Sequence, residues 1–196
     1  MPGHDIKGED SPVDDDTSLD FDEDGELVGK RIVGARAAGR KFDRVRLVDV
    51  ELVRCDLSGC DFSEAAFHRV KLLDCRCIGI ELGSATWHTV RVSDSRLEDA
   101  NLRLTRLTQV RFEASVCARA DFGAARLEDV QFPASDLSGA DVSNAKCANV
   151  DLRTARLDGL KGVGSLRGAT ISVDQLFGLA PGLATAVGLR VLADDE

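Results

Sequence analysis

Cys55, Cys60, Cys75, Cys77, Cys117 and Cys147, with His68 and His88, are the side chains of this 196-residue chain that could ligate zinc or supply a thiolate. A structural zinc site needs four ligands, typically as two closely spaced pairs. Cys75 and Cys77 are separated by one residue, and no second pair follows at zinc-finger spacing. His68 and His88 lie twenty apart, but a third and fourth ligand are missing and Thr108 continues their column. Position decides the question. Taken modulo five, Cys55, Cys60 and Cys75 share one phase and Cys77, Cys117 and Cys147 another. Random placement would put all six on the two inward phases about four times in a thousand, so the cysteines read as reduced core thiols. Cys55 and Cys75, twenty apart, are expected to meet without forming a disulfide. The glycine-rich "GVGSLRG" lacks the strand–loop–helix context of a nucleotide site, and no nucleophile motif is present. Neither catalysis nor a cofactor or metal is expected.

The elements that must position these residues repeat every five. From Phe42 to Leu157 each fifth residue is apolar: twelve Leu, six Phe, three Cys, two Val and Trp87. With 43% apolar residues overall, an unbroken run of this length has a chance of roughly one in a billion. Two residues before each lies a smaller inward residue, Ala, Val, Ser, Cys, Thr or Ile at every step from Val45 to Ala155. A helix repeats near 3.6 and a strand at 2, so neither accounts for five. Trp87 falls on the bulky lattice twenty after Phe67 and is expected in the core.

Units such as Ala140-Asp141-Val142-Ser143-Asn144 resemble the A(D/N)LXX consensus of the pentapeptide-repeat family. The resemblance covers residues 40–159, and Leu27, Ile32 and Ala37 extend its phase towards the N-terminus. It implies an all-β solenoid, a right-handed quadrilateral parallel β-helix in which each pentad is one side of a square. A second period of twenty supports four sides. Val50, Val70, Val90, Val110, Val130 and Val150 form one column, and Gly39, Gly59, Gly79, Gly139 and Gly159 recur at one corner, with Asp99 and Arg119 in between. Glycine suits a corner that needs positive φ. Twenty-four pentads make about six coils, a shaft of about 29 Å at strand spacing.

The ends of such a stack need caps. Residues 1–26 hold eleven acids and one Lys out of a net charge of -9, and read as an acidic disordered leader, either solubilising or an interaction tail. Residues 27–39 read as an imperfect first coil, 40–159 as the β-helix, and 160–196 as a closing segment with a short helical cap. In that segment Leu166 and Ile171 sit one residue early against the lattice. Ser172-Val173-Asp174-Gln175 is a capping box for a helix through about Ala180, and Pro181 is expected to begin a second helix ending near Gly188. Leu176, Phe177, Leu179, Leu183 and Val187 would seal the core or, as the resemblance implies, pair with a second copy in a homodimer.

A filled shaft offers no deep cleft. The expected role is a non-enzymatic scaffold that binds a protein partner through its outer faces. The family's quinolone-resistance branch implies an alternative, a DNA mimic acting on DNA gyrase. Asp61, Glu81, Asp121 and Asp141, in one column with Asn101, are the candidate partner-binding acids. Against the mimic stands a near-neutral shaft: residues 40–159 hold nineteen acids and eighteen bases, where an imitation of a phosphate backbone should be strongly negative. The adjoining face carries Arg46, Arg106, Arg126 and Lys146. Direct nucleic-acid binding is not expected without a basic surplus. No run of about 18 apolar residues suggests a membrane span, and a cytoplasmic location is expected.

Overall fold

The structure is a computed structural model and describes residues 17–191. The chain winds as a parallel β-solenoid of about seven turns, closed by one helix. Two of its four faces are regular strands. One stacks β1 (Glu26–Val28), β3 (Arg46–Val48) and β5 (Ala66–His68), and its neighbour stacks β2 (Arg31–Val33), β4 (Glu51–Val53) and β6 (Lys71–Leu73). β7 (Thr86–Ser93), β8 (Arg106–Glu113), β9 (Arg126–Gln131) and β10 (Lys146–Asp151) then run around the corner between those faces. On the other two faces single bridges replace strands, as in Asp56↔Arg76↔Arg96 and Asp61↔Glu81↔Asn101. In every one of these pairings the partner lies twenty residues on. Five residues are therefore one side and its corner.

Both inward registers fill the axis. Val70 and Val90 are buried in adjacent coils and Leu97 is 1% exposed. Rings form a line along the shaft: Phe42 and Phe62 at 4.9 Å, Phe67 and Trp87 at 5.1 Å, Phe112 and Phe132 at 4.8 Å. Trp87 is core, as its phase predicts, although its indole N–H has no acceptor among the described residues. Burial of this aliphatic and aromatic surface, at about 25 cal/mol per Å², is the dominant stabilising term.

The corners impose a cost that the glycine column only partly reveals. Nineteen non-glycine residues among those described have φ between 48° and 60°, each immediately before a small inward residue, from Arg44 to Asn149. Left-handed backbone costs an L-residue about 1–2 kcal/mol. The inter-coil bonds around each corner, such as Arg44 N–H to Ser63 O at 2.9 Å, hold it there.

Three expectations change at the ends. Leu27, Ile32 and Ala37 are all at most 5% exposed and pair in register with the next coil, so the first coil is regular and the count rises from about six to about seven. Of the expected leader, residues 1–16 lie outside the described residues, whereas residues 17–26 pack on the first coil. There Leu19 is buried, Phe21 lies 5.3 Å from Phe42, and the Asp22 carboxylate accepts from the Glu26 N–H at 2.7 Å. Two apolar side chains suffice to cover an open end, despite the acids around them. At the other end β11 (Ala169–Thr170) pairs Val150↔Ala169, an offset of nineteen, which is the one-residue slip read at Leu166 and Ile171. Gly162 and Gly168 permit it: both have positive φ, and a Cβ on either would strike the backbone of Ser143 or Cys147. A single helix, α1 (Val173–Ala186), replaces the two expected, with Pro181 inside it. Proline at this position removes the bond to Phe177 O, and the helix nonetheless continues through it to Ala186.

Candidate interaction surface

The structure brings the acidic column together. Asp61, Glu81, Asn101, Asp121 and Asp141 are bridged in successive coils, with Lys41 before them and Lys161 after. Most of its oxygens are already engaged. Asp61 accepts from the Ser63 N–H at 3.0 Å, Asp121 from Gly123 at 2.7 Å and Asp141 from Ser143 at 2.8 Å. Asn101 does the same for Arg103 at 3.1 Å and donates to Glu81 at 2.7 Å, while Arg103 bonds Asp121 at 3.1 Å. The acid before the bulky residue thus satisfies the amide just after it, which explains why Asp and Asn interchange there. Bonds from Ser63 and Ser143 hold the Asp61 and Asp141 carboxyls below their ordinary value.

Salt-bridge ladders cover other columns. Asp49 and Arg69 pair through both oxygens at 2.5 and 2.6 Å, and Asp99 and Arg119 at 2.8 and 2.7 Å. Around the corner beside Arg69, Lys71, Arg91 and Arg111 line an open groove of about 340 Å³. Exposed pairs of this kind contribute about 0–1 kcal/mol each.

The metal and thiol candidates stay bland. His68 and His88 stack at 5.1 Å with Arg69 against His68. Desolvation, then the charges of Arg69 and His88, lower the His68 pKa. Among the described residues no three His, Cys, Asp or Glu side chains are grouped to hold a metal. Cys55, Cys60, Cys75, Cys77 and Cys117 are buried and Cys147 half-buried. Burial pushes the Cys77 and Cys117 thiols up, and the bond to Cys55 together with burial raises Cys75. Raised thiols of this kind are poor nucleophiles, whereas the bond to Cys75 lowers the Cys55 thiol to about 7, within the closed wall of the shaft.

One inward column went unread in the sequence. Ser95, Ser115 and Ser135 follow Cys75 at intervals of twenty, and their hydroxyls accept from Cys75 N–H at 2.9 Å, Ser95 N–H at 3.3 Å and Ser115 N–H at 3.1 Å. Each hydroxyl also lies within donating reach of two carbonyls; Ser95 is 2.8 Å from Ser93 O. This buried polar spine satisfies amides that the corner leaves open.

The C-terminal candidates divide. Leu179 is 5% exposed and Leu183 half-buried against the last coil, whereas Leu176, Phe177 and Val187 face out, with Phe177 75% exposed. Exposed Val173, Leu189 and Val191 enlarge that apolar surface. Gln175 joins helix to shaft: its Oε1 accepts from the Ser172 N–H at 2.7 Å and its Nε2 donates to Leu152 O and Ala155 O, both at 2.6 Å. No described helix is long and apolar enough to cross a membrane.

No curated protein matches the chain in sequence. Among solved structures it is similar to a trypsin-treated form of QnrB1, a plasmid-mediated fluoroquinolone resistance protein, at 17% identity and a TM-score of 0.43, covering 89% of this chain and 94% of that one. It is also similar to HetL of Nostoc sp. strain PCC 7120, a pentapeptide-repeat protein involved in heterocyst differentiation regulation, at 16% identity and a TM-score of 0.32, covering 75% and 89%. The family model for pentapeptide repeats matches residues 41–79 and 135–161 in eight copies. The same twenty-residue pairing continues unbroken between those two stretches, so the repeat architecture that the family model matches on either side extends across the whole shaft.

Proposed function

We propose that this protein is a non-enzymatic scaffold, working in the cytoplasm, that binds a protein partner through the outer faces of the shaft. The observation that carries the reading is the division of labour within each pentad. Both inward positions are spent on the core, and what remains is a set of flat columns of charged and polar side chains with open grooves between them. The exposed apolar side of α1 supports a second element of the proposal, a homodimer through the C-terminal helices. Val173, Phe177 and Val187 would be buried against their counterparts. Phe177→Glu is expected to convert a dimer to a monomer in light scattering while leaving the thermal transition of the shaft in place; a wild-type monomer across the micromolar range would refute the contact.

The acidic column Asp61, Glu81, Asp121 and Asp141 favours a second reading, a DNA mimic that modulates DNA gyrase and protects it from quinolones. The engagement of those carboxylates in local backbone bonds and the near-neutral shaft weigh against it. A gyrase supercoiling assay with and without quinolone separates the two. No effect at micromolar protein eliminates the mimic; saturable inhibition or protection establishes it in place of the scaffold.

A further inference from the structure

The shaft has two runs of three stacked cations, and it treats them differently. Lys71, Arg91 and Arg111 occupy successive coils and meet Glu51 at 2.5 Å, Glu113 at 2.6 Å and Gln131 at 2.5 Å. On the neighbouring face Arg106, Arg126 and Lys146 are also paired coil to coil, in β8, β9 and β10. All three are exposed, and none of their side chains has a hydrogen-bond or ion-pair partner among the described residues. Like charges placed directly opposite at strand spacing repel and destabilise a sheet. Glu128 and, at the corner that ends this face, Asp129 are the carboxylates on the same face of these coils; Asp129 accepts from Asn149, and the acids across the other corner, Asp121 and Asp141, already serve Arg103, Gly123 and Ser143. The ladder is an unneutralised cationic strip on an otherwise balanced shaft.

The complementary charge is in the same chain. Residues 1–16 carry six acids, Asp5, Glu9, Asp10, Asp14, Asp15 and Asp16, against Lys7. The described chain starts at the N-terminal end of the shaft, where Leu19 is buried on the first coil. From the level of Glu26, pairing steps through Arg46, Ala66 and Thr86 to Arg106, four coils or about 19 Å, and Lys146 lies about 29 Å away. Extended chain advances about 3.3 Å per residue. About six residues back from position 17 reach the level of Arg106, and about nine reach Lys146. The residues ahead of position 17 therefore have the reach to lay carboxylates along the whole ladder.

We infer that the acidic leader, residues 5–16, docks along the Arg106–Arg126–Lys146 ladder of its own shaft and shields it from other anionic partners. Tethering makes the leader locally millimolar, so weak pairs suffice, and added salt should release it.

The test uses the full chain and two variants. In the leader variant Asp5, Glu9, Asp10, Asp14, Asp15 and Asp16 (with Glu as Gln, Asp as Asn) lose their charge; in the ladder variant the changes are Arg106→Gln, Arg126→Gln and Lys146→Gln. At low salt, amide resonances of residues 106–108, 126–128 and 146–148 should differ between wild type and leader variant. The difference should vanish at about 500 mM NaCl and when the leader changes are made in the ladder variant. A twenty-residue polyglutamate probe should bind the leader variant roughly tenfold more tightly than wild type, and the ladder changes should abolish that gain. Superimposable spectra at low salt, shifts confined to other columns, or equal polyglutamate affinity would each overturn the inference. Thermal unfolding of each variant beside wild type separates a loss of docking from a loss of fold. The outcome is independent of which partner, if any, the outer faces bind.

Discussion

Gln175→Glu is expected to unseat the C-terminal cap even though it changes one side-chain amide to an isosteric carboxylate. The substitution keeps the acceptor of the capping box, so the Ser172 N–H retains its partner. It removes the two donors to Leu152 O and Ala155 O and sets a negative charge against both carbonyls. Two lost hydrogen bonds cost about 2 kcal/mol, and leaving the half-buried carbonyls facing an anion adds about 1 more. Favourable placement of an acid in the first helical turn returns roughly 0.5 kcal/mol. The net loss of about 2–3 kcal/mol corresponds to a thermal midpoint lowered by about 4–10 °C for a chain of this size. Repeat arrays open from their ends, so hydrogen exchange at Leu152, Ala155 and Leu160 should accelerate before that of Leu97. The carbonyls raise the introduced carboxyl's pKa in the folded state above its unfolded value. The deficit should therefore be smallest below the unfolded pKa, near 4, where a protonated carboxyl donates again, and should develop as pH rises through the folded pKa. A variant as stable as wild type at pH 7, or one whose deficit is independent of pH between 4 and 7, would refute this account of how the end is sealed.

Leu104→Asn should stabilise the shaft by about 0.5–1 kcal/mol in denaturant unfolding: Leu104 is 59% exposed at φ 60°, and Asn144 holds the same corner two coils on at the same angle. Ser115→Ala should cost about 1–3 kcal/mol, because it strands the Ser95 amide inside the wall; chemical denaturation measures it, and a loss below about 0.3 kcal/mol would mean that the serine spine is ornamental. Acid should destabilise the fold in a defined window. Asp56, Asp61, Asp141 and Asp151 all have folded pKa values below their ordinary one, Asp151 at about 2 through its bonds to Arg153. Their contribution is complete above the unfolded pKa, near 4, and is lost as pH falls through the folded values. Asp61→Asn, which keeps an acceptor but not the charge, should be somewhat less stable than wild type at pH 7 and lose less stability between pH 4 and 2, as followed by circular dichroism.

What the sequence revealed and what it hid follow from the same geometry. Inward residues must be apolar and small enough to share one axis, so their phase was legible at Val50, Leu97 and even at the six cysteines. Outward residues obey no such rule, because water accepts almost any polar side chain. That is why the column of Asp61 and Asp141 could be read as an acidic surface while its bonds to Ser63 and Ser143 had no sign in residue identity. The corners were half legible: glycine marked five of them at one edge, whereas Leu104, Thr89 and Arg119 take the same left-handed conformation without any sign in their identity. Leu19 and Phe21 were hidden by composition, since two apolar residues in an acidic run seldom fold, and they do so here because an open coil end is waiting beneath them.

The same contrast orders the functional argument. In several columns the shaft neutralises its own charges between partners twenty apart, as Asp49 does for Arg69 and Asp99 for Arg119. A column that departs from that habit carries information that composition cannot, because a shaft of nineteen acids and eighteen bases is featureless when its charges are merely summed. Arg106, Arg126 and Lys146 depart from it over three consecutive coils. Repulsion between stacked cations on strands about 4.8 Å apart is relieved by any anion that approaches them, and the excess acid of this protein lies almost entirely in its first 26 residues.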